Sequence, residues 1–337
     1  METISMTSPS KSRRVALYLA MLATVTSLAA APGVSAAGYP DKPIRLIVPY
    51  PPGGATDVIG RVMAQELTGA LGQSVIVDNR NGAGGNIGAD AVAKAAPDGY
   101  TILMGAITSH SIMSTLEKST IKYNFEKDLV PVSIVGSVPL VFVVNPGVPV
   151  KTLKELIAYA KSKPGELSFA SSGAGAPQRM AAEMFKRSAG VEMIHIPYKG
   201  SGPAMTDLMG GHVLTMVETV PAALPHIKAG KLRALAVTTP QRISMLPDVP
   251  TTAEAGMPGF EVSSLFGILV PAGTPKEIIV RLNAEITKLL MIPEVKAQLL
   301  AQGAYTVTTT PEQAVTRVHQ EVAMWAKIIK EADVKPD

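Results

Sequence analysis

Ile44-Arg45-Leu46-Ile47-Val48-Pro49-Tyr50-Pro51-Pro52-Gly53-Gly54-Ala55-Thr56-Asp57 decides the architecture. Ile44 to Val48 is a short apolar run of buried-strand length. Pro51 to Gly54 breaks it. A helix is predicted over about 55–71, with apolar residues at 58/59, 62/63, 67 and 70/71. Thr56 and Asp57 suit its first turn and Gly72 its end. Strand, glycine turn and helix in that order open a parallel α/β unit.

The plan repeats outward from there. A strand at 74–77 is followed by a glycine-rich turn, a helix near 89–96 and a strand at 100–104. Residues 141–144 are a candidate crossing strand, with a helix at about 153–162 behind it. Then come a strand at 167–170 and a helix near 178–188, a strand at 193–196 and a helix at 203–209, and strands near 214–217 and 232–237. The segment 240–260, rich in Pro and Gly, is expected to be loop, and 265–270 is expected to cross back. Thr274-Pro275-Lys276-Glu277 is predicted to cap the next helix, and Thr310-Pro311-Glu312-Gln313 opens the last one, toward Ile329. The order fits two α/β lobes joined by two crossings better than one sheet. Residues 38–140 with 262–337 would form lobe 1, and 141–261 lobe 2.

Composition excludes several classes. Of 337 residues, 47% are hydrophobic and 17% charged, which permits large cores and rules out intrinsic disorder. Cysteine is absent, which removes disulfide frameworks, thiolate metal sites and cysteine nucleophiles. Aromatic residues are only 4%, a poor supply for stacking bases. Lys11, Arg13 and Arg14 against Glu2 supply half of the formal charge of +4, so the rest is close to neutral. That gives no electrostatic case for nucleic acid or anionic membrane.

Residues 1–37 have the plan of a cleavable export signal. Lys11-Ser12-Arg13-Arg14 is a basic region, residues 15–31 are mainly apolar, and Val34-Ser35-Ala36-Ala37 offers small residues for cleavage. Ser12-Arg13-Arg14 also resembles part of a twin-arginine signal, but Val15-Ala16-Leu17 follows it imperfectly. The mature chain is expected to be soluble, periplasmic and monomeric.

Three strand-to-helix junctions share one design: 51–57, Ser171-Ser172-Gly173-Ala174-Gly175-Ala176-Pro177, and Tyr198-Lys199-Gly200-Ser201-Gly202-Pro203. Each puts small residues before a helix N-terminus, where unpaired backbone N–H groups and the helix dipole attract anions. One such turn is an ordinary connection. Three in an exported two-lobed chain point to a cleft for an anion such as a carboxylate.

Rival motifs are weaker. Gly82-Ala83-Gly84-Gly85-Asn86-Ile87-Gly88 has Ile87 where a dinucleotide fingerprint needs its third glycine. No phosphate loop or nucleophile elbow is present. The 5 histidines lack metal-ligand spacing. No catalytic residue, cofactor or metal is expected. A secreted hydrolase using Ser172 or Ser201 with a histidine is the rival reading, and it lacks a local base.

Several stretches are similar to one family. Tyr39 to Arg45, Val48 to Asp57, Asn79 to Gly88, Pro197 to Ala204, Pro221 to Ile227 and Leu246 to Thr251 resemble motifs of the Bug-type extracytoplasmic solute receptors, the substrate-binding proteins of tripartite tricarboxylate transporters. The likeness runs over essentially the whole mature chain. It implies a two-lobed type II periplasmic-binding-protein fold of the Venus flytrap kind, each lobe a mainly parallel sheet flanked by helices. It implies a receptor, not an enzyme, that takes small carboxylic acids and passes them to membrane permease subunits or, alternatively, docks on a sensor domain. Carried onto this chain, it sets Gly53, Gly54, Ala55, Thr56 and Asp57 opposite Ser172, Gly173, Ala174, Gly175 and Ala176, with Thr108 lining the first lobe's side and Tyr198, Lys199 and Gly200 in the third turn. Three departures stand out: Ala176 where many relatives have Ser or Thr, Arg179 where many have His, and Glu218 where many have Asp. Arg179 would either pair with a second carboxylate in the cleft or point outward as a helix charge. Glu218 would receive an amine or hydroxyl, or repel a second acid.

Overall fold

Ile44–Val48 forms β1, paired in parallel with β2 (Val75–Asn79) on one side and β3 (Thr101–Ala106) on the other. The structure, a computed structural model, describes residues 38–173 and 175–336, so the expected export signal at 1–37 and Ala174 lie outside the described residues. Helix α1 (Ala55–Leu71) buries Ile59, Met63, Leu67 and Leu71, the stripe its spacing requires. A short 3₁₀ turn, Ala83–Gly85, leads into α2 (Asn86–Ala93). Helix α3 (Ile107–Leu116) follows β3 without an intervening loop.

Strand β4 (Leu129–Val144) is 16 residues long, far more than the expected 141–144. Its first part pairs antiparallel with β9 (Ser263–Pro271), and its last five residues, Leu140 to Val144, pair with β7 (Thr215–Thr219). Strand β8 (Arg233–Val237) runs along its other edge there. Beyond β7 lie β5 (Ser168–Ser171) and β6 (Ile194–Pro197), again parallel to one another. The order is β2-β1-β3-β9-β4-β7-β5-β6, so β4 and β9 connect two groups of parallel strands. Hydrogen-bonded pairing joins the ten strands into one continuous sheet, yet each parallel group has its own helices. Helices α4 (Leu153–Ser162), α5 (Pro177–Ala189), α6 (Ser201–Gly210) and α7 (Val220–Lys228) belong to the second stretch of chain. Helices α8 (Lys276–Met291) and α9 (Pro293–Ala301), strand β10 (Tyr305–Thr306) and helix α10 (Pro311–Glu331) complete it.

The cores follow this division except at two helices, α10 and α3, the latter placing Ile107 in the first cluster and Ile112 and Leu116 in the second. Ile47, Leu103, Phe125 and Leu269 cluster around the first parallel group, while Phe142, Phe169, Phe185 and Val217 cluster in the second. Helix α10 serves both: Ala314 and Val318 pack in the first cluster, Trp325 and Ile329 in the second. Between them Glu321 is buried, and its carboxylate accepts hydrogen bonds from Thr108 Oγ1 at 3.1 Å and Trp325 Nε1 at 2.9 Å and pairs with Arg317 at 3.0 Å. A buried carboxylate needs such donors to be tolerated.

The two expected helix openings behave differently. Thr310 makes the full capping box, accepting from Gln313 N and donating its own N–H to Gln313 Oε1. Thr274 does not cap α8: its hydroxyl donates to Pro271 O at 2.7 Å, and Pro275 stands at the cap position with no side-chain bond. The carbonyl one turn back captures the hydroxyl first.

Candidate functional site

The first junction is closed by one of its own side chains. Asp57 accepts from the Gly53 N–H at 2.9 Å, from Arg61 Nε at 3.0 Å and from Asn79 Nδ2 at 2.8 Å. Burial would raise its pKa, but the hydrogen bonds from Arg61, Gly53 and Asn79 outweigh it and hold the carboxyl below its usual range. Gly53 sits at φ 88°, a region only glycine enters freely, and Gly53, Gly54 and Ala55 are exposed. Beside this turn, Tyr50 donates its hydroxyl to Gly84 O at 3.0 Å, and burial pushes its pKa up to about 12. Gly85 packs so closely that a Cβ there would stand 2.9 Å from the Tyr50 ring.

The second junction has a different construction. Ser171 ends β5 fully buried, its Oγ 2.7 Å from His195 Nε2, and the imidazole stacks on Phe169 at 4.9 Å. The buried hydroxyl is out of reach of a substrate, so this serine–histidine pair is a strand-to-strand tie. Ser172 and Gly173 then turn the chain, Ala176 N donates to Gly173 O at 3.1 Å, and α5 begins with Pro177. Among the described residues, no side chain closes this turn.

The two halves face each other across a cavity of about 800 Å³. Tyr50, Asn86, Ser109 and Met113 line one side; Ser172 and Gln178 line the other. Gly173, Gly175 and Ala176 also line it, with the N-terminus of α5 directed toward it as an anion would require. The 83–86 turn, expected to be only a failed nucleotide fingerprint and a family motif, contributes directly. Among the described residues no group of three or more His, Asp or Glu has metal-site geometry.

Comparison with known proteins places this geometry. The family pattern described as the tripartite tricarboxylate transporter family receptor matches residues 59–334. The chain belongs to that receptor family. It is 46% identical over 302 residues to Protein BugT of Bordetella pertussis, covering 90% of this chain and 93% of that one. The structure of R. palustris Rpa4515 with adipate is similar at 37% identity and a TM-score of 0.79, over 89% of this chain and 100% of that one. The periplasmic binding protein BugD is similar at 35% identity and a TM-score of 0.75, over 89% and 100%. The fold is thus the mixed α/β, type II periplasmic-binding-protein fold of these solute receptors.

In this receptor the remaining expected site residues are placed as follows. Gly53 to Asp57 are not among the lining residues of the cavity. Thr108, expected in the lining, is fully buried with its hydroxyl on Ser263 O, Glu321 and the Leu265 N–H; its neighbour Ser109 faces the cavity instead. Arg179 neither faces the cleft nor points to solvent: it is buried, and its Nη2 donates to Lys335 O at 2.9 Å. Tyr198 spends its hydroxyl on Asp207 at 2.8 Å, and its pKa, raised by burial and by that carboxylate, is about 12. Lys199 is exposed, Gly200 precedes α6 at φ 110°, and neither lines the cavity. Glu218 is fully buried on β7, behind Gln178. Tyr50, Asn86, Met113 and Gln178 were absent from the expected site; Tyr50 and Asn86 lie inside motifs already singled out, whereas Met113 and Gln178 carried no signal.

Proposed function

We propose that this protein is an exported receptor that captures a small organic carboxylate in the 800 Å³ cavity and delivers it to the membrane subunits of a tripartite transporter. The observation that carries this reading is the pairing of an uncapped helix N-terminus, at α5, with the Ser172–Gly173 turn on one wall of a cavity in a family of transporter receptors. A carboxylate there gains from the dipole and the small turn residues. A relative's structure with adipate supports the ligand class.

In this proposal the chain has two lobes, 38–140 with 262–337 and 141–261, connected by β4 and β9. Helix α10 bridges the two cores, so its middle, at Glu321, bends or slides as the lobes approach. Closure brings the exposed backbone of Gly53, Gly54 and Ala55 to the carboxylate, with Thr56 and Asp57 holding that turn in shape. Ligand favours closure because it touches both lobes only there.

A thermal-shift screen of mono-, di- and tricarboxylic acids, aromatic ones included, tests the reading. A receptor is stabilised by its ligand without consuming it. Turnover of a stabilising acid, abolished in Ser172→Ala, overturns the proposal.

A further inference from the structure

Gln178 is the second residue of α5, is 8% exposed and lines the cavity. Its Nε2 donates to Glu218 Oε1 at 3.0 Å. Glu218 is fully buried, and the same Oε1 accepts the Thr219 N–H at 2.6 Å. An oxygen receiving two donors is an acceptor, so the amide of Gln178 must turn its NH₂ end toward it. The other end, Oε1, accepts no hydrogen bond among the described residues. An acceptor on a nine-tenths buried side chain, held in one orientation at the wall of a cavity, is costly unless a ligand or water supplies a donor.

We propose that Gln178 is a specificity residue that selects carboxylates carrying a hydrogen-bond donor, a hydroxyl or an ammonium, close to the carboxylate, and that Glu218 is the positioning residue that aims it. This rests on the carboxylate-receptor reading of the cavity. The geometry is that of a carboxylate at the α5 N-terminus, two residues' reach from the Gln178 amide, with a donor on an adjacent carbon meeting Oε1. An unsubstituted acid that covers Oε1 leaves it without a donor, and sites built to hydrogen-bond a substrate group discriminate strongly against analogues lacking it. The second carboxylate oxygen of Glu218, Oε2, has no hydrogen-bond partner among the described residues.

The test is calorimetric titration of the whole mature protein with matched sets: succinate, malate and aspartate, and adipate, 2-hydroxyadipate and 2-aminoadipate, each substituted acid in both enantiomers. The expected result is that one enantiomer of a hydroxy or amino acid binds at least about tenfold more tightly than its unsubstituted parent. Which arm wins tells hydroxyl from ammonium. In Gln178→Met that ratio collapses toward one. In Glu218→Gln it also falls, because the amide is no longer held in one sense; a purely structural Glu218 would weaken both members of a pair alike and leave the ratio intact. Gln178→Met, at the cavity wall, keeps the test decisive if the buried Glu218→Gln fails to fold. Binding of succinate or adipate as tight as that of every substituted partner overturns this inference and leaves the receptor reading standing. Absence of binding by any of these acids and by any in the thermal screen removes both.

Discussion

The two turns that were expected to close on one ligand are built in opposite ways. The 53–57 turn is knit shut by Asp57, whose side chain is 3% exposed and ties together Gly53, Arg61 and Asn79. The 172–176 turn has no such tie among the described residues, and its atoms line a cavity. The same glycine-rich, small-residue composition therefore serves two ends. In the first, hydrogen bonds are spent within the protein and make a rigid backbone platform. In the second, no side chain among the described residues takes them up, and the helix opens without a side-chain cap. The difference predicts that substitutions in the first half change stability, and those in the second change binding.

The largest expected effect is at Asp57. Asp57→Ala strands the Gly53 N–H, Asn79 and Arg61 together and should cost about 3 kcal/mol of unfolding free energy. Ser172→Ala should cost less than about 0.5 kcal/mol, since its hydroxyl bonds nothing among the described residues. Urea midpoints measure both. Equal losses would break the contrast.

Next comes His110, also on the first side. It is fully buried against Tyr50 and Phe125, neither ring nitrogen has a hydrogen-bond partner among the described residues, and burial lowers its pKa to about 4. An unfolded histidine titrates near 6.5, so between those values the unfolded chain binds a proton that the native one does not. Stability is retained above about pH 6.5 and falls as pH drops, by about 3 kcal/mol on reaching pH 4. Asp57, with its depressed carboxyl pKa, loses its contribution only below about pH 4, so the two windows separate. In His110→Phe the slope between pH 6.5 and 4 should flatten; an unchanged slope would refute the assignment.

Much of the frame was legible in sequence because apolar spacing reported it. Helix α1 runs over 55–71 and α4 over 153–162, as predicted, since each has one clean buried stripe. Helix α3 escaped because its buried face carries Thr108, His110 and Ser111, so a hydropathy pattern sees no stripe. Helix α7 escaped because Pro221 and Pro225 punctuate it, and β4 because Pro131 and Pro139 interrupt a continuous strand. The candidate site divides similarly. The 172–176 turn was visible as small residues before a helix. Met113 and Gln178 were not, since their roles come from which face of a helix meets the cavity, a property of tertiary packing.

Two glycines give the next, smaller contrast. A Cβ on Gly88 would stand 2.7 Å from Pro49 Cβ and 2.8 Å from Arg80 O, which is backbone and cannot swing aside. A Cβ on Gly175 would overlap the side chain of Met113, which can. Gly88→Ala should therefore destabilise by about 2 kcal/mol through overpacking. Gly175→Ala should leave the melting temperature almost unchanged and displace Met113 into the cavity, weakening ligand. A Gly175→Ala protein as unstable as Gly88→Ala would mean that the second half is as tightly built as the first.

The smallest stability effect is expected at Gly54, and it probes the platform directly. A Cβ there meets only Pro51 O, at 3.8 Å, and Gly54 has φ −79° and ψ 166°, which any residue adopts. Leucine is therefore accommodated in the unliganded protein, and Gly54→Leu should unfold within about 0.5 kcal/mol of the parent. If the lobes close so that a carboxylate meets the exposed backbone of this turn, the same leucine stands in the ligand's path and binding is lost. Calorimetry of Gly54→Leu with any acid found in the screen separates the cases. Lost binding with unchanged stability makes the 53–57 turn a prebuilt platform whose hydrogen-bonded rigidity serves a ligand it does not touch until closure. Unchanged affinity confines recognition to the cavity between Asn86, Ser109 and Gln178 and leaves Asp57 a purely architectural residue.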